Sequence, residues 1–217
     1  MNRSPPRRPP AAAAPGKVRL IGGRWRGTRL EVPDVAGLRP TSDRVRETLF
    51  NWLMPMLPGA NVLDLFAGSG ALGMEALSRG ASRAVLVERD PALATALRSL
   101  AARLPGGEAA QVVQADALAW LAAPPSQAFD LAFLDPPFTA GLWSTALERL
   151  MPWMSPDAWL YVEAPHEAGL ELPEGWGLHR EGRTRDVRFA LYRRQPAPAA
   201  TLPADPASGM PQPQTIE

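Results

Sequence analysis

The chain has 217 residues, 23 Lys and Arg against 22 Asp and Glu for a formal charge of +1, 25 prolines and no cysteine. That length allows one domain with extensions around a sizeable core. The lack of cysteine excludes disulfides, thiolate nucleophiles and cysteine-ligated zinc, and no apolar run approaches the ~18 residues of a membrane span.

The expected elements begin with a tail. Residues 1–16 and 195–217 are rich in Pro, Ala and Ser and lack apolar periodicity, so both are expected to be disordered. The first carries Arg3, Arg7 and Arg8 without the apolar stretch of a secretory signal, which makes the cytoplasm the expected compartment. Only Lys17 among the basic residues is lysine, a compositional bias that discounts the arginine count but not its placement. Residues 1–57 hold an excess of seven positive charges, so the remainder is acidic by six, and a polyanion-facing N-terminal part follows.

Within residues 17–58, "VRLIGG" and "TRLEVP" flank "RWRG" as a short β-pair, with Arg24, Arg26 and Arg29 in or beside its turn. Thr41 or Ser42 then caps a helix with Val45, Leu49, Trp52, Leu53 and Met56 at helical spacing. Trp25 and Trp52 read as core, Trp52 especially. Arg44 and Arg46 read as a solvated helix face, and Arg44 joins the RNA-facing candidates.

From residue 59 to 194 short apolar runs alternate with helices: "NVLDLF", "GALGMEALSR", "RAVLVE", "PALATALRSLAARL", "AQVVQA", "ALAWLA" and "FDLAFLD". Strands buried on both faces and separated by helices predict an α/β, doubly wound parallel sheet. A helix near 141–151, a strand "AWLYVEA" and a hairpin over "GLHREG" and "DVRFALYRR" complete this domain. In such a sheet a ligand lies at the carboxyl ends of the strands.

Four of those ends carry chemistry. After the first strand comes Gly68-Ser69-Gly70-Ala71-Leu72-Gly73, the G-x-G-x-x-G spacing of a nucleotide-binding turn. Asp64 beside it disfavours a pyrophosphate and suits a cationic ammonium, which points to S-adenosylmethionine rather than NAD. Glu88 ends the next strand, twenty residues after Gly68, where an acid accepts ribose hydroxyls. Asp116 and the Ala117 N–H follow the third strand, placed for an adenine. The fourth ends in Asp135-Pro136-Pro137-Phe138. The prolines remove two donors and stiffen the turn, leaving the Asp135 carboxylate and Pro136 carbonyl as acceptors for one amino group, with Phe138 as a stacking face. His166 and His179 are isolated, so no metal site is expected.

In this order and spacing, "RPTSDRVRETLFNWL", "LDLFAGSGALGMEALSRGA", "VERD" and "LDPPF" resemble the RsmD family of 16S ribosomal RNA guanine-N2 methyltransferases, from about Val18 to Arg194. The resemblance implies a class I methyltransferase fold, a Rossmann-like, mostly parallel seven-stranded sheet with a small N-terminal hairpin and helix that binds RNA. It also implies S-adenosylmethionine as donor and one guanine of 16S rRNA, presented on a 30S particle, as acceptor of a monomeric enzyme. Carried over, Asp64, Gly68, Ser69, Gly70, Glu88, Asp116 and Ala117 hold the donor, Arg39 to Thr41 close over it, and Asp135 to Phe138 take the guanine. The segment "GRTRDVRFALY" is more basic than the family pattern. The rival enzymes, DNA adenine and protein glutamine N-methyltransferases, usually carry Asn where this chain has Asp135; a rival of another class is a non-catalytic RNA-binding assembly factor.

Overall fold

In chain order the elements are β1 (Val18–Arg19), β2 (Arg29–Leu30), α1 (Asp43–Leu53), β3 (Asn61–Asp64), α2 (Ala71–Ser78), β4 (Arg83–Glu88), α3 (Pro91–Arg103), β5 (Ala110–Gln114), α4 (Ala117–Leu121), β6 (Phe129–Leu134), α5 (Trp143–Leu150), β7 (Met154–Pro165), β8 (Trp176–Arg183) and β9 (Val187–Arg194). They come from a computed structural model, which describes residues 18–30, 42–138 and 141–195. The first expected tail, all of the second but Gln195, Arg39 and Thr41 lie outside the described residues.

Seven strands form one sheet in the order β5-β4-β3-β6-β7-β9-β8. The first five pair in parallel, and β9 runs antiparallel between β7 and β8. This is the doubly wound, mostly parallel sheet expected, and the reversal between β3 and β6 opens a crevice at the carboxyl edge. One face packs an apolar cluster with α1, α2 and α3, the other a second cluster with α4 and α5. The expectation of burial on both faces holds for β3, β4 and β6. It fails for β5, none of whose residues is buried, because β5 is an edge strand.

Local chemistry starts the helices where the site needs them. Ser42 caps α1 by accepting from the Val45 N–H at 3.3 Å. Asp90 caps α3 through the Ala92 and Leu93 N–H groups, with Pro91 at the first helical position where no donor is lost.

The hairpin β1–β2 shares its core with the sheet, since Val18, Leu20, Trp25 and Leu30 belong to the same apolar cluster as Val62 and Leu86. Trp25 anchors it: its backbone N–H donates to Ser78 Oγ at 2.9 Å and its indole to the Pro105 carbonyl at 3.0 Å. Trp25 is therefore deeper than Trp52, which is half-buried and stacks on Phe189 at 5.6 Å. Arg46 corrects the expectation of a solvated face. It is fully buried, with Val45, Leu49, Phe50 and Leu53, on the inward stripe of α1. Its Nη2 lies 2.6 Å from Asp43, and Nη1 lies 3.9 Å from the buried Glu75, which also binds Arg79 at 2.6 Å and the Ile21 N–H at 2.8 Å. A buried carboxylate needs such partners, and Glu75 uses them to fasten the N-terminal segment to α2.

Candidate active site

The carboxyl ends of β5, β4, β3 and β6 lie side by side, so strand pairing alone gathers the residues of the four strand ends. Past the paired residues the backbone stays laced: the Ala67 N–H donates to Val87, the Leu65 N–H to Phe133 and the Ala115 N–H to Glu88.

Gly68 and Gly70 take φ of 52° and 75°, left-handed values that any residue with a Cβ adopts at a cost. They let the turn double back from β3 into α2, with the buried Ser69 between them. Glu88 holds the turn. One carboxylate oxygen accepts from the Gly68 N–H and the other from the Asp90 N–H, both at 2.7 Å. The twenty-residue spacing thus places the acid beside the glycine turn, and the carboxylate keeps lone pairs for further donors.

Asp64 sits deeper. It is level with Leu86 on β4 and Phe133 on β6, two residues short of Glu88 and Asp135, which at ~3.3 Å per residue is roughly 6–7 Å below them. Only 3% of it is exposed, and its Oδ2 accepts from the Gly73 N–H at 2.8 Å. Burial pushes its pKa up to about 7, against the lowering pull of the Gly73 bond and with a further rise from the Glu88 charge. The third glycine of the turn is explained here: a Cβ on Gly73 would stand 3.0 Å from Leu86 Cγ and 3.1 Å from Asp64 Oδ2.

At the end of β5 the exposed Asp116 caps α4, its Oδ1 accepting from Leu118 at 3.0 Å and Ala119 at 3.1 Å. Ala117 opens that helix, so its N–H lies outside the helix's own hydrogen bonds. The acidic rim formed by Glu88 and Asp116 around a left-handed glycine turn fits a ligand with hydroxyl and amino donors and no phosphate.

Beyond β6, Asp135 is half-buried, Pro136 buried and Pro137 exposed. The half-buried Phe138 leans on the Trp143 ring at 5.9 Å and 43°. Trp143 is itself pinned, its indole N–H donating to the Glu163 carbonyl at 2.9 Å. Behind the turn the buried Tyr161 hydroxyl donates to Glu163 Oε2 at 2.8 Å. Burial, then the Glu163 and Asp135 charges and the hydrogen bond, raise the Tyr161 pKa well above that of a free phenol. Tyr161, Glu163 and Trp143 were not among the sequence candidates, although Glu163 stands near the end of the next parallel strand and the same strand-end logic reaches it.

Arg24, Arg26, Arg29 and Arg44 are all exposed. Arg24 lies over the Trp25 ring at 4.4 Å and reaches the Gly106 carbonyl at 3.5 Å. Among the described residues no group of His, Asp and Glu could hold a metal, and no helix is long and apolar enough to cross a membrane.

A model of the family described as Conserved hypothetical protein 95 matches residues 18–193. The chain is 47% identical over 189 residues to the ribosomal RNA small subunit methyltransferase D of Escherichia coli K12, covering 86% of this chain and 94% of that protein. It is 45% identical over 184 residues to the protein of that name from Haemophilus influenzae, covering 83% and 95%. The solved structure of Escherichia coli yhhF superposes with a TM-score of 0.77 at 45% identity, over 84% of this chain and 100% of that one.

Proposed function

The chain belongs to the Conserved hypothetical protein 95 family, the RsmD family of methyltransferases, and on that premise we propose that it transfers a methyl group from S-adenosylmethionine to the exocyclic N2 of one guanine in 16S ribosomal RNA, in the cytoplasm, on an assembled or partly assembled 30S particle. The fold is that of a class I methyltransferase. The observation that carries the choice of acceptor is an acid, Asp135, at the head of the Pro-Pro-Phe turn on the strand beside the glycine turn.

The residues that would hold the donor are Gly68, Ser69 and Gly70 in the turn, Glu88 for the ribose, Asp116 and the Ala117 N–H for the adenine, and Asp64 for the ammonium, with Arg39 and Thr41 closing over it. When bound, S-adenosylmethionine supplies a methyl already electrophilic on its sulfonium. The burden on the protein is the amine, because the guanine N2 lone pair is delocalised into the ring. Asp135 and the Pro136 carbonyl each accept one N–H, which draws the nitrogen toward tetrahedral geometry and aims its lone pair. A carboxylate is too weak a base to deprotonate an aromatic amine outright. Asp135 therefore orients the amine first and takes its proton as the bond forms, a contribution of roughly 10²–10⁴-fold. Phe138, braced by Trp143, offers the base an apolar face. A paired guanine must leave its stack to enter, which costs least in a loop.

The test is methyl transfer from labelled donor to small subunits prepared from cells lacking this gene, followed by nucleoside analysis. N2-methylguanosine at one position supports the reading. A methylated adenine or a methylated protein glutamine contradicts it, and so does saturable RNA binding with no transfer.

A further inference from the structure

The hairpin of β8 and β9 turns at the edge of the sheet where the acceptor turn lies. β9 pairs Val187 with Pro165 and Arg188 with Ala164 of β7, and β7 pairs Val162 with Leu134 of β6, so the turn at residues 184–186 shares the carboxyl edge with Asp135 to Phe138. Arg188 stands two strands from β6 and Arg183 three, which at ~4.8 Å per strand is roughly 10–14 Å to one side. Local hydrogen bonds fix the turn. The Thr184 N–H donates to the Val187 carbonyl at 2.8 Å, and Thr184 Oγ1 accepts from the Asp186 and Val187 N–H groups at 3.3 and 3.1 Å. His166 Nε2, one residue past β7, lies 3.1 Å from the Thr184 carbonyl oxygen and ties the turn to the neighbouring strand end. Arg185 at the tip and Arg183 at the base are both exposed.

Residues 176–194 carry six arginines against Glu181 and Asp186, in a chain whose whole formal charge is +1. Glu181 holds Arg188 through Nε at 3.0 Å and Nη2 at 2.9 Å, but touches Arg183 only at 3.6 Å, with 65% of the Arg183 side chain in solvent. So open a pair holds little, and Arg183 is able to turn to a stronger anion. Guanidiniums on a fixed turn match the phosphates of an RNA strand, which accept from them in bidentate pairs. The arginines of the N-terminal hairpin turn lie at the other edge. Trp25 is anchored to Ser78 and Pro105 and Arg24 reaches Gly106, where α2 and α3 have returned the chain to the starts of β4 and β5. The eight residues of α2, roughly 12 Å at 1.5 Å per residue, separate that edge from the glycine turn. Arg24 and Arg26 therefore meet RNA away from the reacting base. We propose that Arg183 and Arg185 bind the phosphates that flank the target guanine and seat the strand beside the acceptor turn. Such contacts position RNA without reading its bases. This rests on the RNA reading above and adds to it the surface that holds the strand at the site.

The experiment uses the full chain, small subunits from cells lacking this gene, and labelled donor. In Arg183→Ala/Arg185→Ala the KM for the subunit should rise roughly tenfold while kcat stays within about twofold of wild type, because the phosphate contacts are the same before and during transfer. The dependence of log K for subunit binding on log salt should flatten by about 1.4–1.8, at 0.7–0.9 for each of two phosphates. S-adenosylhomocysteine affinity and the midpoint of urea unfolding should match wild type. Arg183→Lys/Arg185→Lys, which keeps both charges but not the planar fork, should recover the salt slope and part of the affinity. A benzophenone side chain placed at position 185 should crosslink to nucleotides next to the methylated guanine, and one at position 26 to RNA farther off. An alanine variant with unchanged KM and salt slope overturns the proposal. Loss of kcat at unchanged KM overturns it too, and so does a position-185 crosslink to distant RNA or to a ribosomal protein. A wild type that methylates no guanine N2 overturns the reading beneath the proposal as well, and nucleoside analysis shows this before any variant is made.

Discussion

Asp64→Asn separates what the fold wants at this position from what the reaction wants. The Asp64 carboxyl is raised to about 7 from 3.8, chiefly by burial. Between these values the folded chain keeps a proton that the unfolded chain has released, so stability is full below about pH 4 and falls as pH rises toward 7, at up to about 1.4 kcal/mol per unit. Above pH 7 the loss is complete, roughly 4 kcal/mol on the 3.8-to-7 interval. The amide cannot ionise and still offers an oxygen to the Gly73 N–H. Urea unfolding of the donor-free protein should therefore find Asp64→Asn more stable than wild type at pH 8 and indistinguishable at pH 4. Taking the difference between the two proteins cancels the other carboxylates. Donor affinity should move the opposite way, weakening roughly tenfold or more if Asp64 meets the ammonium as an anion. A stability difference that does not change from pH 4 to pH 8 would refute the assignment of a raised pKa to Asp64.

Asp135→Asn should cut single-turnover methyl transfer at least ~100-fold with donor affinity unchanged, since a neutral amide replaces a charged acceptor. Glu88→Ala should weaken S-adenosylmethionine and S-adenosylhomocysteine alike by roughly 1.5–3 kcal/mol, read by calorimetry, because the ribose is common to both and the Gly68 anchor goes with it. Arg46→Met should lower the free energy of unfolding in urea by about 3 kcal/mol, the low end for a broken buried pair because Arg79 still holds Glu75. Replacing Arg24, Arg26 and Arg29 by Ala should weaken target and unrelated RNA together and flatten the dependence of log K on log salt by about 0.7–0.9 for each phosphate these arginines neutralise, with donor binding intact.

The order of strands and helices was legible because the central strands β3, β4 and β6 are short apolar runs closed by a turn residue, and Asp64, Glu88 and Asp135 stand where those runs stop. Depth was not. Asp64 and Glu88 read alike in the chain, and only the register, which sets Asp64 against Leu86, shows one carboxyl sunk below the other. Partners distant in sequence were hidden for the same reason. Glu75 meets Ile21 across 54 positions and Trp25 meets Pro105 across 80, and nothing local signals either. Arg46 was misread as solvated although it keeps helical step with Leu49, Phe50 and Leu53, because a charge on an apolar stripe is ordinarily placed at its margin.

The measurement that bears most directly on the proposed activity is the mapping of N2-methylguanosine along small-subunit rRNA from cells with and without this gene. One guanine should lose its methyl group in the deletion strain and regain it when the wild-type gene, but not Asp135→Asn, is returned. A methylation map identical in the two strains would contradict the proposed activity.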